Sequence, residues 1–103
     1  MRPQWKIAAC VLAGAAASAQ AQDPSALYVR SLAATCASCH GTDGRTAPGA
    51  PLAPLAGMQR DYLVAQLKAF KAGTRPSTIM TQLAKGYSDA QIEQLASYFA
   101  GRK

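Results

Sequence analysis

Apolar positions recur along this chain at helical rather than strand spacing. Leu63, Leu67 and Phe70 fall at i, i+4 and i+7, which predicts a helix over Asp61 to Ala72. Gly73 is its expected stop, and Lys68 and Lys71 sit on other faces near the C-terminal end, where positive charge complements the helix dipole. Ser88 followed three residues later by Gln91 forms a capping box, and Ile92, Leu95, Ala96 and Phe99 continue at helical spacing to Gly101. From Asp23 to about Thr35 the chain is rich in Ala and Leu. Asp23 or Ser25 can cap that segment and Pro24 suits a first turn, so a helix is expected to lead into Cys36. A shorter helix is expected from Thr78 to Lys85, stopping at Gly86 and set off from the long one by Thr74–Ser77 with its Pro76. Between Gly41 and Gly57, four glycines and the prolines Pro48, Pro51 and Pro54 mark a loop. No segment alternates strictly in the manner of a strand. The pattern predicts an all-α fold with three main helices and one short one.

Composition narrows the possibilities. A length of 103 residues allows one small domain and excludes a multidomain enzyme. No apolar stretch reaches the roughly 18 residues of a membrane helix, and no heptad run supports a coiled coil. Arg2 and Lys6 followed by the apolar run Ile7–Ala17 and the small-x-small pattern Ala19-Gln20-Ala21 read as an export signal over residues 1–21, with a mature domain over 22–103 in the periplasm. Ile7-Ala8-Ala9-Cys10 superficially resembles a lipoprotein box. Too few apolar residues precede Cys10 for lipidation, and the apolar run continues past it, so Cys10 reads as part of the signal. Once Arg2 and Lys6 are removed, nine basic side chains stand against five acidic ones, a balance of +4. That charge is too small and too scattered for a nucleic-acid footprint, but it suits solubility or a transient acidic partner. An 82-residue mature chain that is Ala-rich and has a long loop can bury only a thin core, so a metal, disulfides or a large prosthetic group should complete it.

Cys36-Ala37-Ser38-Cys39-His40 carries the chemistry. C-x-x-C-H is the attachment sequence of c-type haem: two thiols one helical turn apart can add to the two porphyrin vinyl groups, and the next residue, His40, is aimed at the iron. A thioredoxin-like redox pair expects a βαβ context that is absent here, and structural zinc needs a fourth ligand from a second Cys/His cluster. A disulfide between Cys36 and Cys39 closes too small a loop to staple the domain. His40 is the sole histidine of the chain, so the sixth iron ligand must come from elsewhere. A Met thioether suits an electron carrier because it raises the potential. Met80, in the irregular stretch after Pro76, is preferred over Met58, which reads as core packing. The free ring N–H of His40 should find a backbone acceptor near Pro51 or Pro54, with Pro51 the first choice. Leu52, Leu55, Leu63, Leu67, Phe70, Ile79, Leu83 and Leu95 are expected to form the core, and with it the wall of the haem pocket.

These residues resemble a class I cytochrome c over nearly all of 25–101. Leu55-Ala56-Gly57, Tyr62-Leu63, Gln66-Leu67, Phe70, Gly73 and Arg75 are similar to the c553/c4 type. Ser77-Thr78-Ile79-Met80 with Ala84-Lys85-Gly86-Tyr87-Ser88 is more particularly similar to the cytochrome subunit of flavocytochrome c sulfide dehydrogenase. The resemblance implies one covalent haem c on Cys36 and Cys39, iron ligands His40 and Met80, and no bond chemistry of the chain's own. It also implies electrons received from an FAD-containing flavoprotein subunit that oxidises sulfide. The sequence departs from the class at Tyr28 and Leu32, where many members carry Gly and an aromatic residue, so the crossing of the first and last helices should shift, with Ala33 against Tyr98 or Phe99. Two other functions compete. A free periplasmic carrier feeding an oxidase could dock through Lys68, Lys71, Arg75 and Lys85, charges that otherwise read as ordinary solvated surface. A haem enzyme or gas sensor would require Met80 to leave the iron open.

Overall fold

The computed structural model describes residues 21–103. The remainder of the expected export signal, Cys10 included, lies outside the described residues. Five α-helices follow one another: α1 (Pro24–Ala34), α2 (Ala37–His40), α3 (Arg60–Ala72), α4 (Met80–Lys85) and α5 (Asp89–Ala100). A 3₁₀ turn at Thr42–Gly44 follows α2, and no strand occurs among the described residues. The all-α expectation holds. α2 is an addition to the four helices expected, a single turn formed by the Cys-Cys-His segment itself.

Local chemistry explains the ends. The Asp23 carboxylate accepts from the Ser25 amide at 3.2 Å, and Pro24 fills the first turn, where its missing N–H costs nothing. At α5 both halves of the capping box are made: the Gln91 amide donates to Ser88 Oγ at 3.1 Å, and the Ser88 amide donates to Gln91 Oε1 at 2.9 Å. α4 begins at Met80 rather than Thr78. The Ser77 hydroxyl takes the Thr81 amide at 2.9 Å, which satisfies an early donor of the helix from outside and leaves Thr78 and Ile79 in the approach.

α3 packs on α4 and α5, and α1 packs on α5. Ala33, Leu63, Leu95, Ala96 and Phe99 form the buried cluster between α1, α3 and α5, and Ala84 and Ile92 are buried as well. Ala33 therefore takes the place at the α1–α5 crossing that the departures at Tyr28 and Leu32 had suggested. Of the eight residues expected to form the core, Leu63 and Leu95 are buried and Leu55, Leu67 and Phe70 are half-buried. Leu52, Ile79 and Leu83 are 42%, 56% and 46% exposed. Polar ties add to the α3–α5 contact: Arg60 reaches Glu93 and Ser97, Lys68 reaches Glu93 at 3.2 Å, and Lys71 reaches Asp89 at 3.1 Å.

Candidate functional site

α1 delivers the chain into the Cys-Cys-His turn through a two-residue turn at Thr35 and Cys36. The Cys36 amide bonds to the Ala33 carbonyl at 3.1 Å, and the Cys36 carbonyl accepts from His40 at 2.9 Å and from Cys39 at 3.3 Å. One helical turn thus carries both thiols and the imidazole. Both cysteines are free, Cys36 half-buried against the core cluster and Cys39 exposed. Burial pushes the Cys36 thiol above its ordinary pKa, with the Thr35 hydroxyl pulling the other way and the neighbouring Cys39 adding to the rise. Gly41 ends the turn with φ +81°, and a Cβ there would stand 2.1 Å from the Arg45 carbonyl oxygen, so only glycine closes it.

His40 Nδ1 lies 2.8 Å from the carbonyl oxygen of Ala53. Donation from Nδ1–H fixes the ring and leaves the Nε2 lone pair for ligation. The acceptor is therefore the carbonyl of the Ala53–Pro54 bond and not Pro51. Pro54 holds the residue before it extended, and its ring fixes the backbone on the other side, so the acceptor is held on a stiff stretch.

Met80 stands on a separate element, half-buried as the first residue of α4. Met58 packs against the buried cluster, the core role read for it. Among the described residues no three His, Cys, Asp or Glu side chains converge on a point where a metal ion could sit, so the Cys-Cys-His turn is not shaped as a zinc cage. The residues fit haem c instead. Two free thiols are spaced by one turn, an imidazole has one nitrogen engaged, and the large apolar side chains Leu52, Ile79 and Leu83 lie at the surface.

Several contacts near the turn carry no sequence motif. Thr35, next to Cys36, shares a 2.7 Å hydrogen bond with the Tyr87 hydroxyl just beyond α4. Asp43 takes the Tyr98 hydroxyl from α5. Among the basic residues, Lys68 and Lys71 are engaged by Glu93 and Asp89 of α5, and Arg75 lies over the Phe70 ring at 4.6 Å with Gln66 at 2.6 Å. Only Arg75 and Lys85 of the four expected docking charges are free of ion pairs among the described residues. No described helix is long and apolar enough to cross a membrane.

Residues 19–99 match the family described as cytochrome c oxidase, cbb3-type, subunit III. The chain is 43% identical over 48 residues to the thiosulfate dehydrogenase electron acceptor of Stutzerimonas stutzeri, and 42% identical over 45 residues to cytochrome c-552 of Acidithiobacillus ferridurans. Those matches span 44% of this chain and only 22% and 20% of the two relatives. Among solved structures, cytochrome c4 of Acidithiobacillus ferrooxidans superposes with a TM-score of 0.67 at 32% identity, over 81% of this chain and 52% of that one.

Proposed function

The chain belongs to the family described as cytochrome c oxidase, cbb3-type, subunit III, a haem c protein of the class I cytochrome fold, and we propose that it serves as a one-haem electron carrier for a sulfur-oxidising dehydrogenase. One observation carries this reading: the Cys36–His40 turn presents two thiols and an imidazole whose Nδ1–H is held by Ala53, leaving Nε2 to bind. When bound, haem c supplies a one-electron iron couple.

The chain's own residues do the rest. Cys36 and Cys39 would hold the group through thioethers, so that it could not exchange with the surroundings. His40 is oriented by the Ala53 carbonyl, and a ring held in place would reduce the reorganisation each electron demands. Met80, half-buried at the start of α4, would offer a thioether to the iron, a ligand that favours the reduced state. Leu52, Ile79 and Leu83, large apolar side chains left at the surface, would cover the porphyrin and exclude water from it. With His40 and Met80 both given to the iron, the chain would move single electrons and perform no bond chemistry of its own.

The export signal over residues 1–21 puts the mature domain, 22–103, in the periplasm, where c-type haem is attached. The donor in this reading is the FAD-containing flavoprotein of a sulfide dehydrogenase, as the resemblance around Met80 and Tyr87 implies. The electron-acceptor relative of thiosulfate oxidation supports the wider assignment to sulfur chemistry. The alternative, a free carrier of the c553/c4 type feeding an oxidase, draws on the cytochrome c4 likeness and the free charges Arg75 and Lys85.

Stopped-flow mixing of the exported, oxidised protein with a sulfide-reduced flavoprotein tests the donor. The expected result is rapid uptake of one electron per chain. Reduction by thiosulfate dehydrogenase alone would move the assignment to that partner, and no reduction by either would overturn it.

A further inference from the structure

The loop from Gly41 to Gly57 holds the Ala53 carbonyl, and α5 holds the loop. Asp43 has a left-handed backbone, φ 55°, the one such non-glycine position among the described residues. Its carboxylate receives the Tyr98 hydroxyl and lies beside Arg45 and Arg102. The next residue, Gly44, is buried so closely that a Cβ on it would lie 2.8 Å from Leu55 Cβ and 2.9 Å from Phe99 Cδ1. The Gly44 carbonyl accepts from the amides of Leu55 at 2.9 Å and Ala56 at 3.2 Å. The Gly57 amide donates to the Phe99 carbonyl at 2.9 Å, which fastens the far end of the loop to the same helix. Ala53 precedes Leu55 by two residues, with only the rigid Pro54 between them.

We propose that Asp43 and Tyr98 are positioning residues for His40: their bond fastens the loop to α5, and through Gly44 and Pro54 it sets how firmly Ala53 holds the imidazole Nδ1–H. This rests on the reading of His40 as a ligand of haem c. A firmly held Nδ1–H makes the ring a stronger donor and favours the oxidised iron, so loosening the latch raises the reduction potential. The last helix then sets the potential through the Asp43–Tyr98 bond and the loop backbone, with no side chain of its own on the imidazole.

The test uses exported, haem-loaded protein and three variants. Tyr98→Phe keeps the ring against Phe99 and Arg102 but deletes the hydroxyl. It is expected to raise the potential and to speed hydrogen exchange at His40 Nδ1–H and at the Leu55 and Ala56 amides. Asp43→Asn keeps an acceptor oxygen and tolerates the left-handed backbone, so its shifts run in the same direction but are smaller. Ser88→Ala weakens α5 at its other end and is expected to leave the potential and the His40 exchange unchanged. No shift in either latch variant, or in the one that folds if the other does not, overturns the proposal. Equal shifts in Ser88→Ala overturn it too, because the effect would then follow helix stability. Wild-type protein without a covalent-haem spectrum would overturn the haem reading itself, a result distinct from a haem-loaded wild type with unresponsive variants.

Discussion

Asp43 and Tyr98 pull each other's titration in opposite directions. The Tyr98 hydroxyl, with Arg102 and Arg45 nearby, holds the Asp43 carboxyl below its ordinary value of 3.8. The Asp43 oxygen, partial burial and the negative charge raise Tyr98 above 10.0, against the opposing pull of Arg102 and Arg30. A carboxylate with a depressed folded pKa adds stability that is full above the unfolded value and is lost as pH falls through the folded one. A raised tyrosine adds stability that is full below pH 10.0 and is lost as pH climbs through the folded value. Equilibrium unfolding across pH should therefore show an acid loss that Asp43→Asn flattens and an alkaline loss that Tyr98→Phe flattens. The two methionines separate in the same residue-by-residue way. Met80→Ala is expected to abolish the sulfur-to-iron absorbance band and admit carbon monoxide, whereas Met58→Ala keeps the band and costs about 1–2 kcal/mol, less than a fully buried methionine. The turn that gathers Cys36, Cys39 and His40 was legible in the sequence because reactive side chains at fixed spacing announce a shared site. Ala53 was not, because a backbone acceptor leaves no mark on residue type; Pro54 signalled only the stiff stretch that presents it.

Helix α5 shows how much of an element can be read from its caps and period. The Ser88–Gln91 box, the buried stripe of Ile92, Leu95, Ala96 and Phe99, and the stop at Gly101 all form as the sequence pattern predicts. Ser88→Ala should cost about 1 kcal/mol, which in a domain of this size lowers the melting temperature by about 4–8 °C in a thermal scan. Leu95→Ala, at a position 2% exposed, should cost about 2–5 kcal/mol. That is a large share of the roughly 5–15 kcal/mol a domain commonly holds. Equal denaturant midpoints for Leu95→Ala and wild type would contradict the packing described for α5. The start of α4 escaped the pattern because the Ser77 hydroxyl competes for a helix donor, a choice that periodicity does not register. α2 is too short to carry a period, and only the Cys-Cys-His spacing hinted at it.

For the molecule as a whole, hydrophobicity alone could not tell wall from core. Leu63 and Leu95 are covered by protein, whereas Leu52, Ile79 and Leu83, identical in character along the sequence, form exposed apolar surface. Charge divides just as unevenly. Lys68 and Lys71 spend their attraction on α5, so partner docking should depend on Arg75 and Lys85. Neutralising Lys85 is expected to flatten the fall of electron-transfer rate with ionic strength more than neutralising Lys68 does, as measured by stopped flow across a salt series. The Thr35–Tyr87 bond has a further result at this scale. It ties the chain just past α4 to the residue beside Cys36, and on the other side the Thr74 and Arg75 amides bond to the Ala69 carbonyl of α3, so the stretch bearing Met80 is a short span moored at both ends. Were the Met80 sulfur, in its proposed role, to leave the iron, the excursion would stay small and the way home short, and the protein would recover from the lapse without unfolding.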